Sequence, residues 1–136
     1  MTETETFVPY ARTSPYLDVI GPLYEHRDDA SIVGLMVDER HTNSRGLVHA
    51  GLLVAIADTV MGHAAERAAA SRARLVTVSL TTDFIGGARR GDWVRGEATV
   101  RRTGRRVAFA SCAFHVDDRL ILTASGVFAV TAADVP

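Results

Sequence analysis

The spacing of apolar and polar residues divides the chain into one long helical segment and several strand-like segments. Residues 50–70 are dense in alanine and leucine without a proline, which predicts a helix because the run is too long for a buried strand. Residues 31–38 are rich in branched side chains and predict a strand. A short helix is predicted over residues 14–20 and a polar loop over 41–48. After the long helix, four strands are predicted: LVTVSLTTDFI, WVRGEATVRR, RVAFASCAFHV and LILTASGVFAV.

The segments between these four strands are short and contain glycine or charged residues. GGARRGD, RTGRR and VDDR are typical of turns that join neighbouring strands, so they predict an antiparallel meander. A strand, then a helix that is apolar nearly all round, then four strands predicts an α+β fold in which an antiparallel sheet wraps around the helix. We expect one domain over residues 1–136, with residues 1–14 as a flexible N-terminal segment whose role is left open.

The composition excludes several classes of protein. The chain has no run of 18 apolar residues, and its start, MTETETFVPY, is acidic and polar where a signal peptide would be basic and then apolar. We therefore expect a soluble cytoplasmic protein that does not bind membranes. A single cysteine excludes an internal disulfide framework, and no Cys/His cluster has zinc spacing. We expect no metal and no cofactor.

The charge is distributed unevenly along the chain. All 15 basic residues are arginine, and the net charge is −1 at pH 7. The first 66 residues carry 10 acids and 4 arginines, whereas the remainder carries 6 acids and 11 arginines, so net charges of −6 and +5 add up to −1. A pI near 6.5 and the lack of aromatic residues among the arginine pairs argue against nucleic-acid binding. Small ligands that carry phosphates are compatible with this distribution.

A carboxylate interrupts the apolar helix at Asp58. On a helix, its neighbours at three and four residues provide no cation or amide, since they are Val54, Ala55, Met61 and Gly62. Burying an unpaired carboxylate costs several kcal/mol, against a free energy of unfolding of only about 5–15 kcal/mol. We interpret Asp58 as a functional residue. The alternative is a structural carboxylate that is satisfied by a partner from a strand.

The residues before Asp58 complete a recognisable pattern. The string N-x-x-G-x-x-H-x-G-(x6)-D is present as Asn43, Gly46, His49, Gly51 and Asp58. Together with the order of elements, it resembles the hotdog-fold acyl-CoA thioesterases, in particular their phenylacetyl-CoA thioesterase-like branch, over roughly residues 15–131. The resemblance implies hydrolysis of an acyl-CoA thioester. It also implies a homodimer, or a dimer of dimers, with the active site at the subunit interface.

Three side chains have roles that thioester hydrolysis requires. Asp58 would deprotonate water as a general base, or attack the thioester as a nucleophile to give a transient anhydride. Asn43 would hold the water or the carbonyl by its amide. By the same resemblance, Thr77 stands where similar enzymes have a residue that supports the carboxylate, and it would hydrogen-bond Asp58 or the water.

The start of the long helix supplies the second part of the predicted site. The family usually has His-Gly-Gly, whereas this chain has His49-Ala50-Gly51. The resemblance implies that the Ala50 amide is the oxyanion donor, helped by the helix dipole, and that His49 orients the loop or polarises the thioester. Ala50 and Asp58 are about 12 Å apart at 1.5 Å per residue, too far to reach one thioester carbon. A two-fold dimer would bring together the two groups from different subunits.

The phosphates of coenzyme A, which is part of the substrate, are expected to meet arginine side chains. Arg89 and Arg90 in the GGARRG turn are the candidates, and a second arginine set flanks RTGRR.

Two other functions stay open. A hotdog dehydratase or hydratase would pair His49 with Asp58, and a non-catalytic module would bind acyl-CoA without turnover. No residue selects the acyl group.

Overall fold

The computed structural model describes residues 2–69 and 73–131, and within them one antiparallel sheet packs against one long helix. Residues 1, 70–72 and 132–136 lie outside the described part, including the predicted last helical residue, Ala70. The helices are α1 (Pro15–Ile20) and α2 (Ala50–Ala68), with short 3-10 turns at Glu3–Thr6 and Glu39–His41. The strands are β1 (Phe7–Pro9), β2 (Tyr24–His26), β3 (Asp29–Met36), β4 (Arg74–Phe84), β5 (Trp93–Thr103), β6 (Val107–Val116) and β7 (Arg119–Thr131).

The α+β fold with a sheet around a central helix is confirmed, but the predicted order of strands is partly wrong. The seven strands lie in the order β1-β2-β3-β5-β6-β7-β4, and every pair is antiparallel. Strands β5 to β7 form a meander as predicted. Strand β4 pairs with β7 instead of β5, because the GGARRGD connection leaves the sheet and its Ala88 carbonyl accepts a hydrogen bond from Val48 N at 2.8 Å. Strand β4 is therefore an edge strand.

The core lies between α2 and the concave face of the sheet. Val60, Met61 and Ile56 of α2 are almost fully buried, as are Phe114 of β6 and Phe128 of β7. Burying each of these large side chains contributes about 1.5–3 kcal/mol to stability. No helix in the described part of the chain is long and apolar enough to cross a membrane.

Helix α1 is attached to the rest of the fold at its C-terminal end by two neighbouring residues, Arg40 and His41, which we call the α1 clamp. Arg40 Nη1 donates to the carbonyl of Val19 at 2.8 Å, and Arg40 Nη2 donates to the carbonyl of Gly21. His41 is only 2% exposed, and its Nε2 lies 2.6 Å from the carbonyl oxygen of Ile20. Side-chain donors near a helix C-terminus satisfy the carbonyls that have no partner within the helix. The clamp therefore fixes the position of α1.

The N-terminal segment is not a flexible extension over its described residues. Strand β1 pairs with β2, and the segment that follows is held against α2 by the side chain of Tyr10, whose hydroxyl lies 2.6 Å from His63 Nδ1. Arg12 forms an ion pair with Glu66 at 2.6 Å. The sequence did not indicate strands β1 and β2, because strands of three residues are too short to give a periodic pattern.

The burial of His63 beside Tyr10 makes the free energy of unfolding depend on pH. Burial is the main cause that lowers the pKa of His63 from 6.5 to about 4. Between these values the unfolded chain binds a proton at His63 that the folded chain does not, so stability falls as the pH falls through this window. We expect a loss of about 1 kcal/mol between pH 7 and pH 5, reduced from the full shift because His63 is partly exposed to solvent.

Urea unfolding at both pH values checks this expectation. His63→Gln, which keeps a hydrogen-bonding partner for Tyr10, should remove most of the difference in stability between pH 7 and pH 5. His115→Gln on β6 is the matched control and should leave the difference in place, since the Tyr10–His63 contact is intact. An equal pH dependence in wild type and His63→Gln would contradict the role of this histidine.

Candidate functional site

Asp58 of α2 contacts a residue of the edge strand β4. Thr77 Oγ1 of β4 donates a hydrogen bond to Asp58 Oδ1 at 2.6 Å. Strand β4 shifts its register against β7 between Thr77 and Ser79, so an irregularity of the ladder lies beside the carboxylate. Within residues 2–69 and 73–131, Asp58 Oδ2 has no hydrogen-bond partner. One carboxylate oxygen is thus oriented by Thr77 and the other is available for chemistry.

The surroundings of Asp58 differ from the deeply buried position that the sequence suggested. Its side chain is only half-buried in the single chain, like those of Val54, Ala55 and Gly62 on the same side of α2. The reason is that β4 is the last strand of the sheet and leaves this side of the helix uncovered. The carboxylate consequently lies on a surface that another molecule can approach.

At the start of α2, one backbone amide is used within the helix cap and another is left without a partner in the described part of the chain. His49 is the N-cap of the helix, and its Nδ1 accepts the Gly51 amide at 2.9 Å. This hydrogen bond places the ring proton on Nε2, because Nδ1 acts as an acceptor. A Cβ at Gly51 would lie 3.1 Å from the imidazole ring, so glycine permits this close approach. The Ala50 amide, in contrast, donates to no residue in the described part of the chain.

Gly51 therefore contributes to the site through the helix cap. Its amide is used inside the cap and is not directed at a substrate, whereas the Ala50 amide and the Nε2–H group of His49 are free and exposed. The first turn of a helix has amides without partners in the helix, and the helix dipole favours negative charge there. The two free N–H groups can stabilise a developing oxyanion.

Asn43 shapes the loop that leads to this helix. Its Oδ1 accepts hydrogen bonds from Arg45 N at 2.9 Å and from Leu47 N at 3.2 Å. Gly46 has a φ of +77°, a conformation that favours glycine, and its amide donates to the Asn43 carbonyl at 3.0 Å. The side-chain oxygen of Asn43 is thus used by the turn. Its Nδ2 group makes no hydrogen bond to a described residue and is the part left for a substrate.

Arg89 and Arg90 lie beside the same loop. A bridge between Leu47 and Arg89 connects the β4–β5 connection to the segment that precedes His49. Both arginine side chains are exposed, and neither forms an ion pair within the described residues. Two free guanidinium groups near the helix start are suited to bind phosphate.

The second arginine set lies at the other end of α2. The β5–β6 hairpin carries Arg102 and Arg105, which line one cavity with Ala68 and Ala69 at the C-terminal end of the helix. In a single chain this set is therefore remote from the free donors at the start of α2. The sequence had suggested Arg89 and Arg90 for the phosphates, but it did not show how far the second set lies from them.

A cavity of about 650 Å³ adjoins the free donors at the start of α2. Its wall includes His49, Gly51 and Leu52 on one side, and Tyr16 and Val19 of α1 on the other. From the sequence, the segment up to Val19 could either shape the pocket or hang free, and this choice was left open. The signal was present in the sequence only as two apolar side chains on a short helix, with nothing to indicate what they face.

Other kinds of chemistry have little support in this region. Cys112 is buried, and this burial raises the pKa of its thiol to about 12, which makes it a poor nucleophile. Among residues 2–69 and 73–131, no group of three His, Cys, Asp or Glu side chains could hold a metal ion.

Comparisons of the sequence with known proteins identify the family. Residues 45–123 match the model of the thioesterase superfamily, a span that contains His49, Asp58 and Thr77. A Pseudomonas aeruginosa protein named "Putative esterase PA0474" is 42% identical over 130 residues, which cover 94% of this chain and 97% of that protein.

Solved structures show the same fold. The thioesterase HI1161 from Haemophilus influenzae superposes with a TM-score of 0.81 at 17% identity, over 90% of this chain and 87% of that one. The BH2602 protein from Bacillus halodurans, solved with CoA, superposes with a TM-score of 0.78 at 21% identity, over 88% and 78% of the two chains. At these identities the likeness shows the hotdog arrangement of one helix and an antiparallel sheet.

Proposed function

This chain belongs to the thioesterase superfamily, and from that premise we propose that it hydrolyses an acyl-CoA thioester to the free acid and coenzyme A. The observation that carries the proposal is the Thr77–Asp58 hydrogen bond of 2.6 Å, which leaves Oδ2 of the carboxylate unengaged. Because Asp58 is half-buried, this free oxygen is accessible to a water molecule or a substrate. The structure of a similar fold was solved with CoA, which supports the same ligand class here.

Two mechanisms use this carboxylate. As a general base, Asp58 takes a proton from water while the water oxygen attacks the thioester carbon; the tetrahedral intermediate then expels the CoA thiolate, which takes up a proton. As a nucleophile, Oδ2 attacks the same carbon, the thiolate leaves, and water hydrolyses the resulting anhydride. Thr77 orients Asp58 in both mechanisms.

The oxyanion is held by groups at the start of α2. The Ala50 amide is the main donor, and His49 Nε2–H is a second donor whose direction is set by the Gly51 amide bonded to Nδ1. The Nδ2 group of Asn43 holds the attacking water or the carbonyl oxygen. Gly51 acts indirectly by orienting His49. Water is the only other reactant, so the reaction needs no metal and no cofactor.

The CoA phosphates are assigned to Arg89 and Arg90. These side chains are exposed, free of ion pairs within the described residues, and attached through Leu47 to the loop that leads to the oxyanion donors. The phosphates of a CoA substrate that extends from the helix start would contact these two side chains first. The protein is proposed to act on such soluble substrates in the cytoplasm.

The site is proposed to form between two subunits. The free amide of Ala50 and the carboxylate of Asp58 are separated by eight residues of the continuous helix α2, which is about 12 Å along its axis. They cannot both contact one thioester carbon from the same chain. A two-fold arrangement in which Ala50 and Asn43 of one subunit face Asp58 of the other makes two identical composite sites.

Strand β4 supports such a dimer. It is 11 residues long, lies at the edge of the sheet, and exposes Val76 by 55%, Val78 by 64% and Phe84 by 53%. Long apolar edges are usually covered in soluble proteins, because their free backbone groups pair with other strands. A second β4 strand would cover this edge. Val107 and Phe109 on β6, exposed by 36% and 41%, are available for a dimer of dimers.

Subunit mixing tests the composite site. Asp58→Asn and Ala50→Pro subunits are each expected to be inactive alone, but a hybrid dimer regains one site with both wild-type groups. Random mixing in equal amounts makes about half of the dimers hybrid, and each has one working site of two, so about a quarter of wild-type activity should return. The assay follows reversible dissociation, and native mass spectrometry verifies the hybrids. Verified hybrids without recovered activity would place both groups of the site in one chain.

A panel of acyl-CoAs with a thiol reagent tests the reaction itself. We expect release of free CoA together with the free acid, and release that is slower by about a hundredfold or more by Asp58→Asn prepared in the same way, which controls for contaminating enzymes. Formation or hydration of an enoyl product would favour the dehydratase or hydratase alternative. Tight binding of acyl-CoA without any turnover would favour a non-catalytic module. Either of these two results would overturn the proposal.

A further inference from the structure

The cavity beside the free donors is bounded by a helix with no other evident role. It has a volume of about 650 Å³, and Tyr16, Val19 and Ile20 of α1 face His49, Gly51 and Leu52 of the α2 start across it. Ligand sites for small molecules commonly have volumes of about 300–1,000 Å³ and mostly apolar walls. The cavity is therefore large enough for a substrate group that extends from the oxyanion donors.

Tyr16 and Val19 are unusually exposed for apolar residues on a helix of six residues. Tyr16 is 57% exposed and Val19 is 68% exposed, whereas Leu17 on the same helix is 8% exposed and belongs to the core. Leu17 thus attaches α1 to the protein, while the other two side chains remain uncovered. Both side chains line the same cavity as His49.

The α1 clamp holds this wall in a defined place. Arg40 and His41 bind the carbonyls of three successive residues at the end of α1, namely Val19, Ile20 and Gly21. A wall that is fixed by three hydrogen bonds can discriminate between ligands, because it does not move freely to fit each one.

The α1 clamp also determines whether a charged group of the substrate can bind in the cavity. Arg40 and His41 are its two basic residues on the α1 side, yet both are used by backbone carbonyls. Arg40 is in addition hydrogen-bonded to Asp38, and this hydrogen bond is the main cause that lowers the pKa of the Asp38 carboxyl. Because all three nitrogens of Arg40 donate to Asp38 or to these carbonyls, Arg40 has no free pair of N–H groups for a second carboxylate on a substrate.

We infer that Tyr16 and Val19 form the acyl-binding wall and make the enzyme selective for uncharged apolar acyl groups, of medium aliphatic or aryl size, over short acyl groups and over acyl groups with a terminal carboxylate. The inference rests on the proposed thioesterase function. It assigns the acyl part of the substrate to the α1 side of the α2 start, and the pantetheine and nucleotide parts to the side of Arg89 and Arg90.

Two substitutions test the wall in opposite directions. Tyr16→Ala removes apolar contact and should lower kcat/KM for octanoyl-CoA about tenfold, while kcat/KM for acetyl-CoA changes less than twofold, since acetyl is too short to reach the wall. Val19→Arg introduces a cation and should raise the kcat/KM ratio of succinyl-CoA to butyryl-CoA about tenfold. Tyr16→Phe keeps the ring and should resemble wild type. Val8→Ala, an exposed apolar residue on β1, is the control for an unrelated site.

The outcomes separate this inference from the proposed function. Hydrolysis with unchanged acyl selectivity in both variants, or an equal loss for all acyl-CoAs, would overturn the acyl wall and leave the thioesterase function intact. Absence of hydrolysis by wild type would overturn the function. In that case calorimetric binding of octanoyl-CoA relative to CoA still tests the wall, because Tyr16→Ala should reduce this affinity ratio about tenfold. An unchanged ratio would overturn the inference.

Discussion

Asp58→Asn is expected to reduce kcat about a hundredfold or more while the protein stays folded. The change is nearly isosteric, and the Oδ1 of asparagine can still accept the hydrogen bond that Thr77 donates at 2.6 Å in the wild type. What it removes is the basic oxygen, Oδ2, which both proposed mechanisms require. The oxyanion donors at the start of α2 are unaffected, so the remaining activity measures what they contribute without a base or nucleophile.

The measurement is steady-state hydrolysis of the best acyl-CoA, with thermal unfolding of both proteins as a check on folding. Asp83→Asn is the matched control, because Asp83 is an exposed carboxylate on the same strand as Thr77. It should retain activity close to wild type. A folded Asp58→Asn protein with nearly normal turnover would exclude Asp58 as base and nucleophile alike, and would return it to a structural role.

Ala50→Pro is expected to lower activity about a hundredfold to a thousandfold, the effect of losing one oxyanion donor. Proline has no amide hydrogen, and the Ala50 amide is the free donor at the start of α2. The fold should tolerate the change, because Ala50 is the first helical residue, where proline is favoured. The preceding residue, His49, already has φ −63° and ψ 128°, which a residue before proline prefers.

The comparison with Ala50→Gly isolates the amide from the side chain. Glycine keeps the N–H group and removes only a methyl, so Ala50→Gly should retain most of the wild-type kcat. Circular dichroism and thermal unfolding establish that both variants are folded. If Ala50→Pro folds and still turns over substrate, the oxyanion is held elsewhere, with His49 Nε2–H and Asn43 Nδ2 as the remaining donors.

Most of the regular structure could be predicted from local pattern. The long helix was predicted from residue 50 and begins at Ala50, and the four strands after it occur within one or two residues of the predicted bounds. Side-chain periodicity and the lack of proline act over short stretches of sequence, so they identify long elements well. Strands β1 and β2, with three residues each, contain too few positions to show a period, and both were missed.

The candidate site was predictable as a set of residues but only partly as a geometry. The spacing from Asn43 to Asp58 identified the loop, the helix start and the carboxylate, and the family is confirmed by the match over residues 45–123. The spacing contained no sign that His49 uses the Gly51 amide, which leaves Ala50 as the free donor. The His49 ring turns back onto its own helix because of its side-chain rotamer and because Gly51 has no Cβ in the way.

By itself, the sequence determined which long segments are helix and strand, that the helix is covered by a sheet, and which polar residues interrupt the apolar pattern. The tertiary structure alone decided that β4 lies at the sheet edge beside β7, so that Asp58 is half-exposed and meets Thr77. It also decided that Arg40 holds α1 at Val19, 21 residues earlier, which creates the cavity wall. The physical reason is the distance along the sequence over which each feature is set. Helix and strand patterns arise from residues that are neighbours in the chain. Sheet order, cavities and side-chain partners depend on contacts between distant segments, which no local pattern encodes.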